Sequence, residues 1–244
     1  MKPLVYARYE LTRAFRNRRF FIFALGFPLV LYYLIAGPNR GVTSLGGTGI
    51  SAPVYFMVGL AAFGTMNAVL SSGARIANER STGWTRQLRV TPLSTRTYFR
   101  VKVLTAYTTA ILTIAILYIA GATLGVRLEA GRWAEMTLLI LIGLIPFAGL
   151  GILMGHLLTP DSIGPAMGGL TALLGLLGGV WFPITGGVLQ KIAEALPSYW
   201  LVQASHVGLG APAWGALGWF VIAAWSVGAA AAAREAYRRD SARV

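Results

Sequence analysis

The sequence predicts an all-α integral membrane protein with six transmembrane helices, and three observations lead to this fold class. First, 56% of the 244 residues are hydrophobic and only 12% are charged, whereas soluble domains carry about 25% charged residues. Second, the mean hydropathy is +0.64. Third, the apolar residues form stretches long enough to cross a bilayer core of roughly 30 Å at about 1.5 Å per helical residue. These observations exclude an ordinary soluble domain.

Six apolar stretches are candidates for membrane spans. They cover residues 20–36, 54–74, 103–126, 136–158, 163–182 and 214–233. The first is short and contains Pro28, but Tyr32 and Tyr33 near its end suit the membrane interface, where amphipathic rings settle. A cleaved signal peptide is the competing interpretation of this stretch. The span is favoured because six basic residues precede the apolar run and no small-x-small cleavage site follows it.

The basic residues predict the orientation of the chain. If the N-terminus is cytoplasmic, 17 of the 21 Lys and Arg residues fall in inside segments and 4 in outside segments. Basic residues near span ends resist translocation and interact with anionic lipid of the cytoplasmic leaflet. We therefore expect residues 1–19, 75–102 and 234–244 to be cytoplasmic, with both termini inside. Lipid then accounts for the net charge of +13, and no nucleic-acid partner is predicted.

Residues 1–19 predict an amphipathic helix on the cytoplasmic leaflet. Leu4, Ala7, Leu11 and Phe15 recur at helical spacing, and basic side chains lie opposite this stripe or flank it. The alternative is a basic flank without folded structure. The regular apolar spacing favours the helix.

The cytoplasmic segment 78–93 is longer than a simple connection requires. It contains Gly83, a short stretch with Trp84 and Leu88 on its apolar side, and Pro92. One interpretation is an interfacial helix whose tryptophan and arginines hold lipid. The other is a docking helix for a cytoplasmic partner. The residue types alone leave these two interpretations level.

Glu79 is the only carboxylate near four arginines of this region. These arginines are Arg75, Arg80, Arg86 and Arg89. We expect Glu79 to pair with one of them or with a basic residue of a partner protein. Such a pair, when buried, is costly to break.

Residues 183–213 contain an apolar stripe too short to span a membrane, ended by Pro197, and then a second apolar piece. Half-helices occur at membrane depth only where protein buries them or where they line a wet cavity. We expect a re-entrant or interfacial helical hairpin at the outer side. A plain amphipathic loop is the alternative.

The sequence lacks the residues for several kinds of chemistry. No Gly-x-x-x-x-Gly-Lys-Ser/Thr phosphate loop occurs, so the chain is not expected to be an ATP-hydrolysing enzyme or to hold a cofactor. There is no cysteine, and His156 and His206 are isolated, so no metal site is predicted. An intramembrane hydrolase would need paired carboxylates or a Ser/Lys dyad inside the spans. Every acidic residue lies outside the six spans, which also argues against an ion-driven carrier.

Two spans offer candidates for a substrate pathway. Phe56, Phe63 and Met66 share the second span with Asn67, and Thr171 lies in the fifth span. Aromatic and methionine side chains with one amide suit apolar molecules, although ordinary helix packing uses the same residues.

Glycines are abundant in the fifth span. Gly168 and Gly175 leave small surfaces at which another helix can approach closely. We predict that they contribute, with the first span, to the contact between two copies of the chain.

Several of these motifs together resemble a known family. The dipeptide Glu79-Arg80, then Gly83, the run 88–94, and on to Tyr98 and Lys102, resemble the loop between the second and third spans of ABC-2-type transporter permeases. The run 178–183, followed by Pro197, is similar to the end of the fifth span and the outer helical hairpin of that family. The resemblance covers nearly the whole chain, including the amphipathic N-terminal helix.

The resemblance implies the membrane subunit of an ATP-driven exporter. Such an exporter has two permease subunits, here expected to be a homodimer, and two separate ABC ATPase subunits that bind ATP and Mg²⁺. The coupling region that docks on the ATPase would comprise Glu79, Arg80, Gly83, Trp84, Leu88, Arg89, Val90, Pro92 and Leu93. Phe182, Pro183 and Pro197 would belong to the outer hairpin. The short outer loops are similar to those of small drug- and antibiotic-resistance exporters, which implies a hydrophobic or amphipathic substrate such as a drug, antibiotic or lipid.

Two hypotheses from different classes follow from the sequence. One is the exporter permease. The other is a six-span scaffold that recruits a cytoplasmic partner for a purpose other than transport. The excess of arginine over lysine, 18 to 3, and the many Ala and Gly residues indicate a GC-rich bacterial genome. We therefore expect the protein in a bacterial cell membrane.

Overall fold

The computed structural model describes residues 3–17, 22–47, 49–184, 186–204 and 214–242. Within these ranges the chain is helical and contains no β-strand, which confirms the all-α class. The helices are α1 Pro3–Arg16, α2 Phe27–Ala36, α3 Ala52–Leu70, α4 Ser72–Ser81, α5 Trp84–Arg89, α6 Thr95–Thr123, α7 Ala130–Gly143, α8 Ile145–Leu157, α9 Pro160–Gly178, α10 Gly187–Glu194, α11 Pro197–Gln203 and α12 Ala216–Ala242. A π-helical turn, Ile22–Gly26, precedes α2.

Among the described residues, four helical runs are long and apolar enough to cross a membrane. They are Ala52–Ser81, Thr95–Thr123, Ala130–Leu157 and Ala216–Asp240. These runs correspond to the predicted second, third, fourth and sixth spans. The predicted first span is represented by the shorter apolar helix α2, and residues 18–21 lie outside the described ranges. The predicted fifth span corresponds to α9, of 19 residues. Membrane crossing by α2 and α9 stays a prediction.

Two of the four runs are interrupted. In the first, Ser71 separates α3 from α4, and in the third, Leu144 separates α7 from α8. Pro146 lies in the first turn of α8, where its lack of a backbone N–H interrupts the helical hydrogen bonds. Ser71 is followed by Ser72 and Gly73, residues that are common at kinks.

Helix α3 lies at the centre of the bundle. Every residue of α3 except Asn67 is buried. Helices α2, α6, α8 and α9 pack around it. A helix that is buried on all sides must be apolar on all sides, and the sequence of α3 meets this requirement.

Glycines of α8 allow neighbouring helices to approach closely. A Cβ atom at Gly155 would lie 2.7 Å from the Gly73 carbonyl oxygen, and one at Gly149 would lie 2.8 Å from the Cβ atom of Ala229. A Cβ atom at Gly151 would lie 3.1 Å from a carbonyl oxygen of α3. Small residues at four-residue spacing are a common basis of close packing between membrane helices. Here they hold α8 against α4 and α12.

Helix α1 buries a different face from the one predicted. Tyr6, Glu10 and Ala14, at four-residue spacing, are buried, and α1 packs on α6. Leu4 and Phe15 of the predicted stripe are exposed, as side chains that meet lipid are expected to be. A carboxylate therefore lies on the buried face of α1, where it requires charged partners.

The segment predicted as the outer hairpin contains two short helices, α10 and α11, and Pro197 lies in the first turn of the second. Helix α11 packs against α3, α7, α9 and α12. Phe182 is 47% exposed, and Pro183 lies close to Gly46 of the loop before α3. Residues 185 and 205–213 lie outside the described ranges. The position of this segment on the outer side stays a prediction.

Candidate coupling site

The segment 78–93 forms an elbow between α4 and α6. Gly83 separates α4 from α5 with a φ of +73°, a backbone conformation that glycine adopts without strain. After α5, a turn leads to Ser94, whose Oγ accepts a hydrogen bond from the Thr97 backbone N–H at 3.2 Å. This N-cap fixes the start of α6.

Trp84 and Leu88 anchor α5 to its own chain. Leu88 is buried with Tyr6 and Tyr98, and Trp84 packs against the same apolar cluster. The ring centroids of Trp84 and Tyr9 lie 6.2 Å apart. One of the two interpretations from the sequence has these side chains contacting a partner protein. Within this chain they attach α5 to α1 and α6, and a contact of the partly buried Trp84 with a partner stays a prediction.

The outward face of the elbow carries other residues. Val90 is 88% exposed, and Gln87 and Pro92 are also exposed. Leu93 is partly buried against the apolar cluster beneath α5. The side chain of Arg89 lies outside the described part of the structure. Val90 is therefore a highly exposed apolar side chain on this face.

Glu79 lies in a buried group of charged side chains. Its carboxylate, 1% exposed, lies 2.5 Å from Lys102 Nζ, which is 2% exposed. Lys102 also donates to Glu10 at 2.8 Å, and Arg13 donates to Glu79 at 2.8 Å. Within this chain Glu79 therefore has partners that the sequence did not predict, and its pairing with a basic residue of a partner protein stays a prediction. The structure supplies a lysine from α6 and an arginine from α1.

We call Glu10, Arg13, Glu79, Tyr98 and Lys102 the charge cluster. The Tyr98 hydroxyl donates to the second oxygen of Glu79 at 2.7 Å. Two carboxylates face one ammonium and one guanidinium group, so the formal charges of these side chains balance. Because its members come from α1, α4 and α6, the charge cluster joins the start of the elbow to the N-terminal helix and to a candidate membrane-spanning helix.

Aromatic rings cover the charge cluster. The rings of Tyr6 and Tyr98 stack with centroids 6.2 Å apart. Lys102 Nζ lies 5.3 Å from the centroid of the Tyr98 ring. Burial, reinforced by the carboxylates of Glu10 and Glu79, raises the pKa of Tyr6, so its phenol stays protonated at neutral pH. Exclusion of water strengthens the ion pairs beneath the rings.

Arg80 joins the same elbow to the end of the last helix. Its guanidinium binds the two carboxylate oxygens of Asp240 at 2.8 and 2.5 Å and donates to the Gly155 carbonyl at 2.9 Å. Asp240 also lies 3.2 Å from His156 Nδ1. A two-pronged arginine–carboxylate pair fixes orientation as well as distance. Within the described part of the chain, no group of three His, Cys, Asp or Glu side chains could hold a metal ion.

A polar cavity of about 590 Å³ opens beside the charge cluster, between α1 and α4. Arg13 and Arg16 line one side, and Ser71, Arg75 and Asn78 line the other. Asn67 lies four residues before Ser71 on the same side of the helical run. One end of the cavity therefore lies one helical turn from Asn67, the residue of α3 that is not fully buried.

The predicted pathway residues of α3 divide into two groups. Phe56, Phe63 and Met66 are buried inside the chain. Phe63 packs edge-on against Trp181, with ring centroids 5.4 Å apart. Asn67 is half-buried and lies one helical turn before Ser71 of the cavity lining. Within this chain the three apolar side chains form core, and a contact with substrate stays a prediction.

The predicted residues of α9 also differ from one another. Thr171 is buried, and its hydroxyl donates to the Met167 carbonyl at 2.7 Å, so its hydrogen bond is made within α9. Gly168 is exposed, with open space where a Cβ atom would lie. Gly175 is buried, and a Cβ atom there would lie 3.0 Å from the Phe63 ring. Gly175 is therefore used inside the chain, which corrects its predicted place on an open face.

Lys102, Glu10 and Asp240 are absent from the site residues predicted from the sequence, although Lys102 ends the motif that resembles the family's loop. The sequence contains features that could have identified two of these residues. Glu10 is the only acidic residue before Glu79, and Lys102 directly precedes a long apolar stretch, where a charge has to find a partner or reach the interface. Nothing in the sequence links Asp240 to Arg80.

In the described part of the chain, four helical runs long enough to cross a membrane, with a polar elbow fixed to them by ion pairs, form the architecture of a multi-pass membrane protein. The sequence model of the ABC-2 family transporter protein matches residues 43–233, and the chain belongs to this family. It is also 28% identical over 210 residues to “Putative transport permease YvfS” of Bacillus subtilis (strain 168), across 83% of this chain and 80% of that protein. The resemblance seen in the motifs is thereby confirmed. Permeases of this family work with an ATPase carried by a partner protein.

Proposed function

We propose that this chain is the permease subunit of an ATP-driven exporter and that its elbow, residues 78–93, docks on a separate ABC ATPase. Two permeases, as a homodimer, would assemble with two ATPase copies that bind ATP and Mg²⁺. The complex would move a hydrophobic or amphipathic molecule outward across a bacterial cell membrane, with both termini of the permease in the cytoplasm. The absence of a phosphate loop from the sequence agrees with an ATPase in another chain.

The charge cluster is the observation that carries this proposal. Charged side chains that are 1–2% exposed are stable only when paired, and loss of one partner leaves a buried charge. A force on the exposed tip at Val90 would therefore reach α1 and α6 through Glu79. It would reach α8 and α12 through Arg80, which binds Gly155 and Asp240. The elbow is built as a rigid link between a docking surface and four helices.

The polar cavity supports an entrance for substrate at the same end of the bundle. Its lining combines arginines with Ser71 and Asn78, and Asn67 of α3 lies one helical turn before Ser71. A molecule with an apolar body and one polar group could pass from this cavity toward Phe63 and Met66 if α3 moved relative to its neighbours. Such a movement is what closure of an attached ATPase would supply.

The experiment introduces the same substitution at the two ends of the bundle. Val90 is 88% exposed at the tip of the elbow, and Val188 is 74% exposed on α10. We expect an ABC ATPase to co-purify from the native host with the wild-type permease and with Val188→Glu. Val90→Glu should retain roughly 30-fold less ATPase, which corresponds to the loss of one interface hot spot of about 2 kcal/mol.

Mass spectrometry of the purified complexes measures this difference. Equal retention of the ATPase by both variants would show that Val90 is not at the docking surface. If no ABC ATPase accompanied the wild-type protein, the exporter proposal would fail, and the non-transport scaffold would be the better interpretation.

A second measurement separates docking from energy coupling. In inside-out vesicles, Glu79→Gln should keep the ATPase bound and active but reduce ATP-dependent accumulation of a lipophilic fluorescent dye. The substitution removes the charge that binds Lys102 and Arg13 without altering the exposed tip. Glu129→Gln, the same substitution at an exposed carboxylate outside the elbow and the charge cluster, is the control for nonspecific effects. Full dye transport by Glu79→Gln would contradict coupling through the charge cluster.

A further inference from the structure

A second cavity lies on the side of the bundle. It is a groove of about 610 Å³ between α6, α8 and α12, and apolar side chains such as Phe99, Val103 and Ile152 line its length. On α6 the lining extends from Thr95 to Tyr107. Twelve helical residues correspond to about 18 Å, close to half the thickness of a bilayer with its interface. The groove therefore has the length of one acyl chain in one leaflet.

The polar side chains in the deep part of the groove do not need hydrogen bonds from a ligand. The Tyr107 hydroxyl donates to the Leu141 carbonyl at 3.0 Å, and Ser226 donates to the Ile222 carbonyl at 2.6 Å. Both polar side chains have their hydrogen bonds within the protein. The interior of the groove is accordingly suited to hydrocarbon.

The mouth of the groove is basic. Arg96 at the start of α6 and Arg234 on α12 line this end, and both are exposed. Among the described side chains, no carboxylate lies within ion-pair distance of either arginine. Arg238, also at the mouth, shares the single carboxylate of Glu235 with Arg239. Positive charge at this mouth therefore exceeds negative charge.

We propose that this groove binds one anionic phospholipid of the cytoplasmic leaflet, with its headgroup phosphate at Arg96 and Arg234 and one acyl chain between α6, α8 and α12. Apolar depth and a cationic mouth complement the two parts of such a lipid. A Thr95–Tyr237 hydrogen bond of 3.0 Å already joins α6 to α12 at the mouth. The bound lipid would add a second link there, beside Asp240 and Arg80. This site does not depend on an ATPase and stands apart from the proposed export function.

The test measures lipid binding to the purified full-length chain. The protein is delipidated in neutral detergent and titrated with phosphatidylglycerol or with phosphatidylcholine of the same acyl chains, and native mass spectrometry counts the bound lipids. We expect one phosphatidylglycerol to bind more tightly than phosphatidylcholine. Each basic side chain near an anionic headgroup contributes about fivefold, so Arg96→Ala/Arg234→Ala should weaken phosphatidylglycerol binding roughly 30-fold.

One control matches the double-arginine variant, and a second control matches a further test variant, Ala230→Phe. Arg40→Ala/Arg127→Ala removes two exposed arginines outside the groove and should bind phosphatidylglycerol like the wild type. Ala230→Phe fills the middle of the groove from an exposed position and should abolish the preferred site. Ala223→Phe adds the same ring at an exposed position of α12 outside the groove and should not.

Three results would overturn the proposal. The first is phosphatidylglycerol binding within threefold of the wild type in Arg96→Ala/Arg234→Ala. The second is an equal loss of binding in both double-arginine variants, because it would indicate only general attraction to cations. The third is loss of a dimer in Ala230→Phe with lipid binding intact, because the groove would then be covered by a second copy of the chain.

Discussion

Lys102→Met tests whether the charge cluster holds the elbow to the bundle. Methionine retains an unbranched apolar stem but removes the ammonium group that binds both carboxylates. The variant leaves Glu10 and Glu79, each 1% exposed, beside Arg13, which is 45% exposed. Two buried carboxylates would then be near one another without the cation that lies between them in the wild type.

The structure sets the size of the expected effect. Removal of one partner from a buried ion pair costs about 3–5 kcal/mol. At about 2–4 °C per kcal/mol for a chain of this size, the unfolding midpoint should fall by roughly 6–20 °C. Arg13→Met removes the same charge from a half-exposed side chain, where an ion pair contributes about 0–1 kcal/mol. The two methionine variants should therefore differ clearly.

Thermal unfolding in detergent, followed by tryptophan fluorescence, measures these midpoints. The double variant Glu79→Gln/Lys102→Met should lose less stability than the sum of the single variants, with a coupling free energy of about 1–3 kcal/mol. A midpoint of Lys102→Met within 2 °C of the wild type, or equal to that of Arg13→Met, would refute the reasoning. Strict additivity in the double variant would show that the two side chains do not interact.

Three further predictions concern topology, assembly and the last helix. A cysteine at Ser81 of this cysteine-free chain should react with an impermeant maleimide only in permeabilised cells, and one at Ser44 should react in intact cells; labelling of Ser81 from outside would contradict the orientation. Gly168→Leu should weaken cross-linking between copies at an unchanged unfolding midpoint, whereas Gly175→Leu should lower the midpoint by roughly 2–12 °C because it overpacks against Phe63; the reverse pattern would contradict these assignments. Asp240→Asn should accelerate trypsin cleavage at Arg238 and Arg239, because it weakens the pair that ties α12 to Arg80, and unchanged cleavage would count against that tie.

Local properties of the sequence predicted much of the fold. A membrane-spanning helix needs about 20 apolar residues in a row, so α3, α6 and α12 could be found from composition alone. The buried face of α1 could not, because an apolar side chain near a membrane can face either lipid or protein. Leu4 and Phe15 marked the exposed face, and the buried face was marked by Glu10, which looks polar in a pattern of hydrophobicity.

The candidate site depended on pairings that the sequence does not encode locally. The motif that begins at Glu79 and ends at Lys102 indicates an important segment, but nothing in it predicts that these two side chains, 23 residues apart, pair with one another. Asp240 is 160 residues from Arg80, and no periodicity connects them. The direction of Trp84 and Leu88 was also undetermined, because a six-residue helix with one apolar side can turn that side toward its own chain or toward a partner.

The central position of α3 has a consequence for biosynthesis. The Tyr55 hydroxyl donates to the Gly179 carbonyl, which is translated 124 residues later. At about 5–20 residues per second, the ribosome takes about 6–25 s to reach it. The Thr65 hydroxyl can form its hydrogen bond as soon as the helix forms, because it donates to the Ala61 carbonyl of the same helix at 2.7 Å. Until Gly179 is made, Tyr55 cannot form this hydrogen bond, so the packing of the central helix is completed only after α9 has been translated.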